Sequence, residues 1–230
     1  MAEVDTFLAR QSVIGTVFYK AMRALVVGIC VLYTRTTVVG RHNIPRDGAF
    51  VLAPIHRSNI DTPLAAAVTG RRLRFMGKDS LWKLRPIGWV LSALGAFPVT
   101  RGTADREALK RCVTVLERGE PLVLFPEGTR QSGPTVQPLF DGAAYVAVKA
   151  GVPIVPVGIG GSERVMPKGR KMIYPRKCVL VVGEPMTVAR DESGKVARSA
   201  VKDLTASLSV ELQRLFDESQ RLAGSPNESA

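Results

Sequence analysis

His56 and Asp61 stand five positions apart in His56–Arg57–Ser58–Asn59–Ile60–Asp61. They directly follow the apolar run Phe50–Val51–Leu52–Ala53–Pro54–Ile55. A histidine takes a proton near neutral pH when a carboxylate holds and orients its ring. One short loop thus supplies a general base and the acid that steers it. The other of the chain's two histidines, His42, lies in a polar stretch and reads as a surface residue. A second segment, Phe125–Pro126–Glu127–Gly128–Thr129–Arg130, joins a carboxylate, a glycine turn, a hydroxyl and a guanidinium. Arg130 there, and Arg101 in Gly95–Ala96–Phe97–Pro98–Val99–Thr100–Arg101–Gly102, each follow a strand-like run. Arginine grips phosphate through two parallel N–H bonds, which lysine cannot do. Lys78 is a further phosphate candidate.

These loops need a scaffold, and the pattern from Thr37 onward provides one. Strand-like runs at 37–40, 49–55, 72–76, 97–100, 121–125, 153–159 and 178–183 alternate with helical patterns. Helices are expected at 62–68, 103–118, 141–150 and 198–222, with two short pieces over 81–94 broken at Pro86. Asp61 is placed at the N-cap of the first, with Pro63 in its first turn. Interleaved strands and helices predict a single-domain α/β sandwich around a mixed sheet. Gly158–Ile159–Gly160–Gly161 follows a strand but lacks the full dinucleotide-binding pattern.

The four quoted segments, with Val152–Pro153–Ile154–Val155–Pro156–Val157 as the last, resemble the glycerolipid acyltransferase family of the H-x4-D motif. Those enzymes make phosphatidic acid. The blocks occur in the family's order over roughly residues 50–160. Ile55 stands where the family often has asparagine. The resemblance implies a largely parallel sheet with the catalytic loops at one end. It implies His56 as base and Asp61 as its orienting acid. Substrate contacts would come from Arg101, Glu127, Gly128, Thr129, Arg130 and Lys78, with Glu127 orienting an acceptor hydroxyl or bracing an arginine. Backbone N–H groups near Ser58 and Asn59 would meet the tetrahedral oxyanion. The acceptor would be lysophosphatidate, with glycerol 3-phosphate or another lysophospholipid as the alternative. The acyl donor, a substrate and not a bound cofactor, would be acyl-CoA or acyl carrier protein thioester.

Bulk properties narrow the competing functions. The net charge is +12, the pI is near 10.1 and mean hydropathy is +0.10. That balance calls for an anionic partner: nucleic acid, an acidic membrane surface or a phosphorylated substrate. Aromatic residues make up 6%, too few for a surface built on base stacking, so nucleic acid is not expected. Cys30, Cys112 and Cys178 are widely spaced and form no C-x-x-C, which suits a reducing compartment and offers no metal cluster. No G-x-S-x-G and no phosphate-binding G-x-x-x-x-G-K-[ST] occurs.

Residues 1–36 read as a separate helical segment, 37–223 as the catalytic domain and 224–230 as a polar tail. In the first segment Phe7, Ile14, Phe18, Leu25, Ile29 and Leu32 mark one face, while Arg10, Lys20 and Arg23 interrupt the run. The uncharged stretch Ala24–Tyr33 is short for a span, and no small-residue cleavage site follows it. An amphipathic helix, or a pair of helices, in the membrane interface is therefore expected, in preference to packing on the protein's own core. The chain would sit at the cytoplasmic face of the membrane, as a peripheral or monotopic protein. Arg71, Arg72 and Arg74, and the segment 81–85, mix charge with apolar residues and are candidates for the same surface.

Overall fold

The structure is a computed structural model that describes residues 13–99, 106–167, 172–187 and 196–227. Seven strands form one sheet: β1 Thr37–Val39, β2 Val51–Pro54, β3 Arg74–Lys78, β4 Ala96–Val99, β5 Leu122–Val123, β6 Ile154–Gly160 and β7 Val179–Val182. Their order is β1-β7-β6-β2-β5-β3-β4. All pairs are parallel except β6 with β7. This is the mixed, largely parallel sheet the sequence predicts. Every residue of β2, β6 and β7 is buried. Successive strand residues point to opposite faces, so both faces are covered there.

The helices are α1 Val13–Thr34, α2 Asp61–Ala65, α3 Arg85–Ala93, α4 Arg106–Glu117, α5 Gly142–Ala150, α6 Ser162–Val165 and α7 Arg198–Leu222. Helix α7 lies along β6 and β7 and against α5, which in turn meets α4. Its stripe of Val201, Leu204, Leu208, Leu212 and Leu215 is buried as its spacing predicts. The glycines of β6 explain how close it comes. A Cβ on Gly158 would stand 2.2 Å from the Leu215 carbonyl oxygen, and one on Gly160 2.2 Å from the Ser219 backbone. The glycine cluster therefore serves backbone-to-backbone packing. The two helical pieces expected over 81–94 are a 3-10 turn, Asp79–Lys83, and α3, and Pro86 sits in the first turn of α3, where no N–H partner is needed.

Helix α1 docks on α2 and α3, with Tyr19 buried and the Phe18 and Trp89 rings 5.0 Å apart. The side turned away from Tyr19 carries Leu25, Ile29 and Leu32 into solvent, at 57%, 59% and 80% exposure. Leu25, Ile29 and Leu32 of the apolar stripe read from the sequence thus face outward, while Phe18 of the same stripe meets Trp89, and Phe7 and Arg10 lie outside the described residues. Thr16–Thr34 is long and apolar enough to cross a membrane by length and composition.

Candidate active site

Two neighbouring parallel strands deliver the two main loops. β2 ends at Pro54 and β5 at Val123, with Leu52 opposite Val123, so the 55–61 and 124–131 turns emerge together at one end of the sheet. β6 runs parallel to β2 and brings α6 to the same end.

His56 Nδ1 lies 3.0 Å from Asp61 Oδ2. The same oxygen accepts the backbone N–H of Arg57 and of Ser58, each at 2.6 Å. A carboxylate offers only acceptors, so the ring bond is Nδ1–H to Oδ2 and leaves the Nε2 lone pair to act as base. Nε2 has no partner among the described residues. The imidazole lies on the Phe125 ring, with centroids 4.1 Å apart and planes 25° from parallel. The His56 side chain keeps 12% exposure while Asp61 has none.

Two sequence expectations change here. Asp61 is the first residue of α2, whose N-cap is Ile60, and its side chain makes no helix cap. It caps the preceding turn instead, by holding the Arg57 and Ser58 amides. Those bonds also occupy the Ser58 N–H expected in the oxyanion hole. Among the described residues the Asn59 amide has no backbone partner, and it remains the candidate donor of that loop.

Glu127 takes a role that touches no acceptor. It is buried, and Arg57 Nη1 donates to both its oxygens at 2.8 Å. Its Oε2 also accepts the His56 N–H at 3.0 Å, and its Oε1 the Gln137 N–H at 3.1 Å. The arginine it braces is Arg57, a residue the sequence reading left out. Arg57 is fully buried, donates from Nη2 to the Thr135 carbonyl at 3.1 Å and lies 4.8 Å over the Phe216 ring. It ties the histidine loop, the Glu127 turn, the 134–137 loop and α7 together. Nothing in a charge set among polar neighbours announced that burial.

Gly128 turns the chain at φ 68°, where a Cβ would stand 2.7 Å from the Phe140 ring. Thr129 is exposed, and its hydroxyl accepts from Gln131 at 3.1 Å. Arg130 is half-buried with no partner among the described residues. The Gln131 N–H donates to the His56 carbonyl at 2.8 Å, which ties the turn that carries Arg130 to the His56 main chain. Lys78 closes β3 at the same end, two strands from β2, with its side chain outside the described part. Arg101 lies outside the described residues.

Cys178 is buried, and burial, with the Asp61 charge second, pushes its thiol up to about 12. Such a thiol stays protonated and is no nucleophile near neutral pH. No metal-ligating cluster occurs among the described residues.

Residues 35–160 match the model of the Acyltransferase family, more than half of the chain. The chain belongs to that family. It is 31% identical over 153 residues to a chloroplastic 1-acyl-sn-glycerol-3-phosphate acyltransferase of Brassica napus, covering 65% of this chain and 44% of that one. It thus spans less than half the length of that plant relative. A 1-acyl-sn-glycerol-3-phosphate acyltransferase of Bacillus subtilis is 28% identical over 186 residues, covering 80% of this chain and 90% of that one. The structure resembles the crystal structure of the 1-acyl-sn-glycerophosphate (LPA) acyltransferase PlsC from Thermotoga maritima. The TM-score is 0.69 at 27% identity, over 92% of this chain and 84% of that chain.

Proposed function

We propose that the chain transfers a fatty acyl group from an acyl-CoA or acyl carrier protein thioester to the hydroxyl of lysophosphatidate, giving phosphatidic acid. The observation that carries this reading is the His56–Asp61 pair, with Nε2 unengaged and the Arg130 turn tied to the His56 main chain. In the reaction Nε2 takes the hydroxyl proton as the oxygen attacks the thioester carbonyl. Asp61 balances the imidazolium. The tetrahedral oxyanion then collapses, the C–S bond breaks, and the imidazolium returns its proton to the departing thiolate. Positioned proton transfer of this kind contributes roughly 10²–10⁴-fold. Arg130 supports a phosphate-bearing acceptor, and Arg101 and Lys78 are proposed to share that role. Glycerol 3-phosphate and other lysophospholipids are the alternative acceptors. No acyl-enzyme is needed, in keeping with the protonated Cys178.

The same proposal puts the chain on the cytoplasmic face of a membrane as a peripheral or monotopic protein. Residues 1–36 form the membrane segment, 37–223 the catalytic domain and 224–230 the tail. The outward apolar face of α1 supports contact with lipid. Its docked inner face favours a helix lying in the interface over one that crosses.

The decisive assay mixes purified protein, acyl-CoA and three acceptors: lysophosphatidate, glycerol 3-phosphate and lysophosphatidylcholine. Free thiol is followed and products are identified by mass spectrometry. The expected product is phosphatidate, with thiol release dependent on acceptor. Equal release without acceptor would make the protein a thioesterase, and absence of release would sink the proposal.

A further inference from the structure

A cavity of about 300 Å³ opens between α1 and the turn before β3, lined by Thr16, Tyr19, Lys20, Arg23, Gly70 and Arg72. Three of those six residues are cations, and none is a carboxylate. Arg23 is pinned through Nη2 to the carbonyls of Ala66 and Thr69. Arg72 lies 5.2 Å over the Tyr19 ring. The Nε of both arginines is buried without a hydrogen-bond partner. Glu120 is near Arg72, but its two oxygens accept from Arg74 at 2.6 and 2.9 Å. Carbonyls and a ring face supply no full negative charge. Among the described residues the cluster therefore has no counter-ion of its own, and the partial burial of Arg72 disfavours its charge.

The position says what that anion is. Gly70 and Arg72 precede β3, so the cavity lies at the end of the sheet opposite His56. It is not the acceptor site. Helix α1 has 22 residues and spans about 33 Å at about 1.5 Å per residue. It runs from this cavity to the catalytic end, where the Thr34 carbonyl accepts the Cys178 N–H at 3.0 Å and β1 begins. At 100° per residue, Lys20 stands on the flank between the docked face of Tyr19 and Arg23 and the outward face of Leu25, Ile29 and Leu32. A bilayer that receives the outward face would hold its headgroups at the mouth of the cavity.

We infer that Lys20, Arg23 and Arg72 form a binding site for the phosphate of an anionic membrane phospholipid that is neither substrate nor product. The inference rests on the membrane-facing reading of α1. A lipid seated there fixes the protein at a second point and sets the tilt of α1 against the bilayer.

The test measures binding to phosphatidylcholine vesicles that carry a minor fraction of phosphatidylglycerol. Lys20→Gln with Arg72→Gln is compared with Arg198→Gln with Lys202→Gln, a control pair on exposed positions of α7. Circular dichroism and the thermal midpoint check folding in both. The cavity pair should weaken binding about tenfold or more, since each cation near an anionic surface adds about fivefold, and the control pair much less. Inorganic phosphate should not protect either protein from thermal unfolding. Equal weakening by the two pairs would mean diffuse attraction and overturn the site. Thermal protection by inorganic phosphate that needs Lys20 and Arg72, with vesicle binding intact, would overturn the lipid. Failure of the unaltered protein to bind any vesicle would overturn the membrane reading as well.

Discussion

Glu127 holds His56 by its main chain: Oε2 accepts the His56 N–H at 3.0 Å while Arg57 Nη1 bonds both oxygens of the same carboxylate at 2.8 Å. His56 is thus gripped twice. Asp61 sets its ring and Glu127 sets its backbone, and the Gln131 N–H closes on its carbonyl at 2.8 Å. Glu127, expected among the substrate contacts, is instead the group that stations the histidine loop.

Removing the Glu127 charge should therefore damage stability before it damages binding. Glu127→Gln leaves the Arg57 guanidinium buried without its counter-charge, a loss of about 3–5 kcal/mol. Arg57→Met with Glu127→Leu removes both charges and should regain most of that stability. It should not regain activity, because the His56 N–H has lost its acceptor. Urea midpoints for the single and paired variants give the coupling directly. Additive effects of the two changes would show that the ion pair does not unite these loops.

Asp61→Asn separates steering from presence. His56→Ala should abolish lysophosphatidate-dependent thiol release with the fold intact. Asp61→Asn should keep the acceptor KM and lower kcat by about 10²–10⁴, because the imidazolium loses its balancing charge. A kcat near that of the unaltered enzyme would remove Asp61 from the mechanism.

The scaffold was legible wherever one local pattern decided it. Apolar runs bounded by glycine and proline placed all seven strands, and the stripe from Val201 to Leu215 gave α7 its limits. The partners of Arg57 were not legible, since Glu127, Thr135 and Phe216 lie 70 to 159 positions away and only folding brings them together. Asp61 misled in another way. Its place before Pro63 looked like a helix cap, but the backbone starts the helix one residue early and spends the carboxylate on the turn behind it. Gly158 and Gly160 could be noticed in sequence, but their reason is a helix backbone some 57 residues on.

Arg130 has no internal partner among the described residues, so its loss should leave stability nearly unchanged. A charge-assisted bond to phosphate is worth about 1.5–3 kcal/mol. Arg130→Ala should then raise the lysophosphatidate KM about tenfold to a hundredfold, with a smaller effect on the acyl-CoA KM. Lysine at that position should restore part of the loss, because it keeps the charge without the fork. An unchanged acceptor KM would take phosphate recognition away from this residue.

Cys178 carries a pH signature that does not involve catalysis. Its thiol is raised from 9.0 to about 12, mainly by burial, so the folded state favours the protonated form. The unfolded chain releases that proton at lower pH. The resulting stability is complete below about pH 9 and is lost progressively as pH rises toward about 12. Cys178→Ala should be less stable at pH 8 because it leaves a cavity, and its stability should fall less steeply between pH 9 and 11. Parallel profiles for the two proteins in urea would place the thiol in a more polar setting than its burial implies.

Gly158 and Gly160 test whether α7 must approach β6 backbone to backbone. A methyl on either would meet main-chain atoms of Leu215 or Ser219 at 2.2 Å, and neither the central strand nor the 25-residue helix can yield locally. Overpacking typically costs about 1–3 kcal/mol where side chains can move aside. Here the obstacle is backbone, so Gly158→Ala and Gly160→Ala should each exceed that range. The helix they would displace also carries Phe216, on which the Arg57 guanidinium rests. Loss of stability should therefore come with loss of turnover in whatever protein remains folded. Calorimetric midpoints and kcat per folded molecule measure the two effects separately. A Gly158→Ala protein with normal stability would show that α7 can stand farther from β6 without loss.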